Sequence, residues 1–424
     1  MRKIFAILLF STGQLFAQSL PFTPFQGYGS KATGGTHVVH VKNLKATGKG
    51  SLTEALSSSG NHVIFDVAGA INGSFNVPAN TTIDGFSAPP PGITLTGGGS
   101  SSCLLVHSSN VIIQGLRLRD CNDKDIETFG ASGPIHDIVI DHVEMLGSGD
   151  EDLATTNVHD YTLSWSIIGN NTNSGCQLIA FGSFHISDHH NLFYGCNGND
   201  SRVPLIGAGY GCCSTGPIRD FGIVADVQYN VSSKFLYGIT AADDGITRNY
   251  GNIANNYLDG QDGDHARNSL DVMGNEHTSY YLEGNASVMN PAGPPSSYYV
   301  SSAHSPFCVI NSNRLDCTRI TVWAPGAICG SSRLAPNSCQ PSVKYAVPAV
   351  LGPAACDSAG RIREWNDVID KAGVVFKFAD DTKTAAIRRG ITRPTAEVLN
   401  LPWNTIARPC AIGDSSLRSK SPTK

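Results

Sequence analysis

Two acidic clusters and one isolated arginine are where this chain of 424 residues could do chemistry. The segment NDKDIE, 122–127, carries Asp123 and Asp125, and GSGDEDL, 147–153, carries Asp150, Glu151 and Asp152. Farther on, SDHHNLFYGCNGNDSRVPLIGAG, 187–209, holds a single arginine, Arg202, in a run poor in charge. A guanidinium stays protonated at ordinary pH, so its natural chemical use is to stabilise developing negative charge. Paired carboxylates about 5–10 Å apart can share acid and base work on a glycosidic bond. Each feature also has a plainer explanation. Acidic loops keep a surface solvated, and Arg202 can simply pair with Asp200.

What must position these groups is legible in the spacing. IVIDHVEMLG begins at Ile138, YTLSWSIIGN at Tyr161 and FHISDHHNLFYG at Phe184, two steps of 23 residues. IVADVQYNVSS begins at Ile223 and ITRNYGNIANNYL at Ile246, again 23 apart, and VIIQGLRLRD at Val111 precedes the series by 27. Each unit alternates apolar and polar residues with β-branched or aromatic members, the pattern of a strand with one buried face. A fixed period in the twenties marks a solenoid. The units lack a leucine ladder or a helical period and end in Asn, Gly and Ser, which suit tight corners. The expectation is an all-β fold, a right-handed parallel β-helix whose coils bury a shared core. On such a fold the two acidic clusters, about one turn apart, come to lie side by side.

GSLTEALSSSG, 50–60, reads as a short helix placed to cap the N-terminal coil, because an open coil would expose strand edges. SAGRIREWNDVIDKAGVVFKF, 358–378, should cover the far end or flank the coil. The expected division is a signal peptide over 1–17, a β-helix core over 18–290, and a Cys/Pro-rich, loop-rich C-terminal region over 291–424 packed on the same domain. MRKIFAILLFSTGQLFAQS has the basic start, apolar stretch and small-residue end of a secretory signal, so a secreted, extracellular protein is expected. Losing Arg2 and Lys3 takes the formal charge from -5 to -7. A mildly acidic chain lacks the basic footprint of a nucleic-acid binder, and no later apolar run is long enough to span a membrane. Twelve cysteines in an exported chain predict disulfides, above all within the crowded 308–356 stretch. A monomer is expected.

The residues also resemble a known family. TGGTHVVHVKNLKATGKGSLTEAL, HVIFDVAGAI and NTTIDGFSAPPPGITLTG are similar to the N-terminal third of the pectate lyases of polysaccharide lyase family one. The likeness continues through NVIIQGLRLRD, IVIDHVEMLGSGDED, YTLSWSII, SDHHNLFYG and SRVP, over roughly residues 27–258, and WNDVID echoes the family's C-terminal segment. The resemblance implies a parallel β-helix and cleavage of polygalacturonate, or a related acidic polysaccharide, by β-elimination. It implies Ca²⁺ as cofactor, an oxygen-seeking Lewis acid that neutralises the uronate carboxylate. The implied ligands are Asp123, Asp125, Asp150 and Glu151. Arg202, with Val203 and Pro204, matches the family's R-x-P element, whose arginine is assigned to proton abstraction. Asp141, His142, His189 and His190 are expected to hold structure rather than do chemistry, and Asn191 and Asn230 to stack in a ladder.

This chain departs from the pattern at several points. Ala154 stands where many relatives carry a further Asp, and LIGAG follows SRVP where many carry a second arginine. NNTNSGCQLIAFG, 170–182, lacks the lysine that holds substrate in relatives, and GYGCCSTGP, 209–217, is foreign to the family. These differences bear on substrate, pointing to a less anionic uronan or a weaker enzyme, more than on fold. The competing functions are a β-helix hydrolase of the polygalacturonase type, with Asp150 and Asp152 as its carboxyl pair, and a non-catalytic carbohydrate-binding β-helix.

Overall fold

In the computed structural model the description covers residues 25–171, 173–180, 182–198, 203–207, 223–241, 249–259, 270–272, 278–283, 285–287, 298–300 and 358–395. Residues 1–24, Asp200, Arg202, the 209–217 insertion and the 308–356 cysteine cluster lie outside these. Three parallel sheets stack along one axis, of ten, nine and nine strands. Each turn of chain gives one strand to each sheet in the same order, as in Val111–Gln114, Leu116–Cys121 and Ile126–Phe129, then Ile135–Asp141, Glu144–Leu146 and Leu153–Thr156. This is the expected parallel β-helix.

The repeat is less uniform than the sequence suggests. Val111 pairs with Ile138 and Ile138 with Tyr161, as the 27- and 23-residue steps require. Tyr161 then pairs with Ile186 rather than Phe184, and Ile223 with Asn249 rather than Ile246. The first of these is a slip of two residues. It keeps each side chain on its expected face because the strand period is two, so alternation alone cannot detect it.

The core follows from stacking like on like. Val63, Ile83, Ile113, Ile140 and Leu163 form one wholly buried column in the first sheet. Asp188 is the next rung, before Val227 and Ile253. At the corner after this sheet the chain turns through a single residue of positive φ: Gly115, His142, Trp165, His190, Tyr229 and Asn255. Left-handed backbone costs a side-chain-bearing residue free energy, which the rings offset by stacking on one another. Trp165 and His190 lie 4.6 Å apart and His190 and Tyr229 5.5 Å apart, both nearly parallel.

Beside the rings, Asn191, Asn230, Asn256 and Asn285 form the expected ladder. Asn191, Asn230 and Asn256 each donate a backbone N–H to the next side-chain oxygen, at 2.9, 2.9 and 3.0 Å. His190 is therefore part of a corner, and His189, wholly buried, is pushed by that burial well below the ordinary imidazole pKa. Asp141 accepts from Ser164 at 2.6 Å and pairs with the His142 ring, the structural role expected of it.

The helix Leu52–Ala55, capped by Ser51, packs on the first strands and covers the N-terminal end. Ahead of it, residues 26–35 run as a strap over the outer face of the first sheet. The backbone N–H groups of Tyr28 and Gly29 donate to Ser187 and Thr162, and those of Gly34 and Gly35 to Asn110 and Thr82. A Cβ on Gly35 would sit 2.1 Å from the Asn61 carbonyl oxygen, so the GGT motif permits close approach of two backbones.

The C-terminal helices, Ser358–Lys371 and Thr382–Arg389, flank the second sheet rather than capping the stack. Trp365, Val368 and Ile369 bury against Leu146, Ile167, Leu192 and Val231. Glu144, fully buried, binds the Arg119 guanidinium, lies 3.4 Å from Arg117 Nε and accepts from Thr384 at 3.0 Å. This network ties the last helix to the coil.

Candidate functional site: acidic turns on successive coils

Both acidic clusters lie where the chain leaves the second sheet and enters the third. Ile126 pairs with Leu153, so Asp123, Lys124 and Asp125 are level with Asp150, Glu151 and Asp152 one coil on. A hydrogen bond from the Asp150 backbone N–H to the Asp123 carbonyl, 2.9 Å, fixes that register. The turns are braced at both ends. Cys103–Cys121 anchors the first two residues before Asp123, and Cys176, bonded to Cys196, accepts from the Leu153 N–H through its carbonyl oxygen. The sequence alone pairs neither bridge and points instead to the 308–356 cysteines. Asn171 on the following coil donates to Ser148, at 3.0 Å, and to the Asp150 carbonyl.

Three of the four sequence-predicted metal ligands come together around a lysine. Lys124 Nζ lies 2.7 Å from Asp150, 3.2 Å from Asp123 and 3.5 Å from Glu151. Asp123 also accepts from Ser102, at 3.1 Å. The lysine side chain is 17% exposed, whereas Asp150 is 42% exposed. Burial works against the charge on Lys124, but the hydrogen bond to Asp150 and the charges of Asp150 and Asp123 outweigh it and raise its pKa. The ammonium is firmly ionised. Sequence reasoning missed Lys124, although a base flanked by two acids in NDKDIE was a visible signal.

Asp125 does not join this group. It is wholly buried level with Asp152, also wholly buried, and desolvation together with the neighbouring Asp152 pushes its pKa well above the carboxylate range. Burial raises Asp152 as well, to about 8, against hydrogen bonds from Ser148 and Asn171. Two stacked acids wholly buried beside each other cannot both ionise, and neither presents a carboxylate to the surface. Asp152 is thereby withdrawn from an acid–base pair with Asp150.

Calcium takes six to eight oxygens at about 2.3–2.6 Å. Here an ammonium fills the centre of the carboxylate group, donating to Asp150 and Asp123 and paired by charge with Glu151. Among the described residues no group of three or more His, Cys, Asp or Glu side chains is disposed to hold a metal ion. As arranged, the residues do not fit a resident calcium.

Arg202 lies outside the described residues. Three positions beyond it, Leu205 enters the third sheet opposite Leu178, in the column that runs back through Ala154 to Glu127. The chain thus re-enters this sheet along the edge where both acidic turns enter it.

Fold and site together define a parallel β-helix protein with a carboxylate–ammonium cluster built across successive coils. No family model matches the chain. It is 28% identical over 277 residues to a probable pectate lyase C of Aspergillus terreus, covering 63% of this chain and 60% of that one. It is 29% identical over 279 residues to a probable pectate lyase C of Emericella nidulans, covering 61% and 64%. The chain therefore spans about three-fifths of the length of these curated relatives. Its fold is similar to that of jun a 1, the major allergen of cedar pollen, with a TM-score of 0.50, 16% identity, and 70% and 88% of the two chains covered. Over about three-fifths of its length the chain is thus similar in sequence to curated pectate lyases.

Proposed function

We propose that this protein is a secreted polysaccharide lyase that cleaves polygalacturonate or a related uronan by β-elimination. The proton α to the uronate carboxylate leaves, a carbon–carbon double bond forms, and the glycosidic oxygen departs with the electron pair of its bond. Arg202 is assigned to the reacting carbon. Its guanidinium stabilises the enolate-like charge while water or hydroxide takes the proton, since an arginine gives up its own proton only in an exceptional environment. The observation that carries the reading is the shared edge. Two acidic turns and the chain that follows Arg202 enter one sheet along one line of the β-helix. The two disulfides among the described residues accord with export.

No step of the proposal runs through calcium, because Lys124 occupies the carboxylate cluster. A hydrolase of the polygalacturonase type has less support, since burial of Asp152 removes the carboxyl that Asp150 would need. The test is incubation with polygalacturonate, methylated pectin and alginate, following the ultraviolet absorbance of unsaturated chain ends. Reducing ends without that absorbance mean hydrolysis. Binding with no product at all means a carbohydrate-binding β-helix.

A further inference from the structure

We propose that Lys124 is the built-in cation of the carboxylate cluster and excludes a divalent metal from it. The inference goes beyond the lyase reading and stands whether or not the chain cleaves a glycan, because it is tested by binding.

Three observations carry it. The first is geometry. Nζ of Lys124 donates to Asp150 at 2.7 Å and to Asp123 at 3.2 Å, and its charge lies 3.5 Å from Glu151. The second is origin. Lys124 lies between Asp123 and Asp125 on one turn, and register sets it level with Glu151 on the next coil. The cation is therefore delivered by the backbone that carries the acids, and no diffusing ion is needed to bring the coils' carboxylates together. The third is enclosure. The lysine side chain is 17% exposed and Glu151 is 7% exposed, so the pair is screened from solvent far better than a surface ion pair.

For Ca²⁺ to enter, the ammonium must leave all three carboxylates. If it stayed nearby it would repel the incoming dication. Freed of the lysine, the three carboxylates would carry a formal charge of -3, and drawing together they would supply the oxygen donors that a hard cation takes. Lys124 thus satisfies the cluster and denies it to the metal.

The experiment is calorimetric titration of the full chain with calcium chloride after exhaustive dialysis against chelator. Wild type, Lys124→Met and Lys124→Arg are compared, with circular dichroism to establish that each is folded. Wild type and Lys124→Arg should show no saturable binding up to about 1 mM, the weak end of extracellular calcium sites. Lys124→Met should gain a one-to-one site at least about tenfold tighter than any wild-type binding. Adding Asp150→Asn to it should remove that site. If Lys124→Met does not fold, Lys124→Gln takes its place, and the thermal midpoint of the wild type should still be unmoved by calcium. One-to-one calcium binding by the wild type that Asp150→Asn abolishes would overturn the proposal. Absence of binding in a folded Lys124→Met protein would overturn it equally, because the cluster would then be no site for a divalent ion.

Discussion

Replacing Asp188 with asparagine should stabilise the β-helix at alkaline pH much more than in acid. Asp188 is the one carboxyl in a buried column otherwise made of Val63, Ile83, Ile113, Ile140, Leu163, Val227 and Ile253. Burial pushes its pKa up to about 7, against the hydrogen bond from Asn191 and the nearby Gln177. In the unfolded chain it should titrate near 3.9. Between these values the native protein holds a proton that the unfolded chain has released. Stability from this group is therefore fully present below about pH 4 and is lost as pH rises toward 7. One pH unit in this window is worth about 1.4 kcal/mol, so raising the pH from about 5 to about 8 should cost the native state roughly 3 kcal/mol through Asp188. Asparagine keeps the shape and a donor but does not titrate. The difference in unfolding free energy between Asp188→Asn and wild type should therefore widen by about 3 kcal/mol over that interval, while every other group cancels in the subtraction. Urea unfolding at the two pH values, followed by tryptophan fluorescence, measures it. A difference that stays constant within about 0.5 kcal/mol would refute the reasoning, because Asp188 would then be ionised inside the coil over the whole interval.

Arg202→Ala should lower kcat on the best uronan by about a hundredfold or more with little change in KM, the pattern of an interaction made only in the transition state. Arg202→Lys, with a more easily lost proton, should keep the pH optimum if the arginine acts through charge and lower it if the arginine is the base. Glu144→Leu would leave the buried Arg117 and Arg119 with only the half-exposed Asp381 as carboxylate partner and should cost roughly 3 kcal/mol in urea unfolding. Removing the Cys103–Cys121 bridge by a double change to alanine should cost about 2–4 kcal/mol. In that variant, amide exchange should rise first at residues 122–125, the turn the bridge anchors.

What the sequence determined by itself was the architecture, because a solenoid writes its period into the chain. Each coil must bury the same faces, so alternation and repeat length are enough to reveal stacked strands and a shared core. The asparagine ladder was legible for the same reason, since Asn191 and Asn230 recur at equivalent corners. Tertiary structure alone decided the register and the fate of individual charges. Slips of two residues, as at Tyr161 and Ile186, leave the alternation untouched, so only paired backbones reveal them. Asp123 and Asp125 look interchangeable in NDKDIE. Folding puts one beside a lysine at the surface and the other beside Asp152 in the buried interior. The physical reason is that a carboxyl's chemistry is set by its distance to other charges and its access to water. Both are properties of neighbouring coils about 25 residues away in the chain.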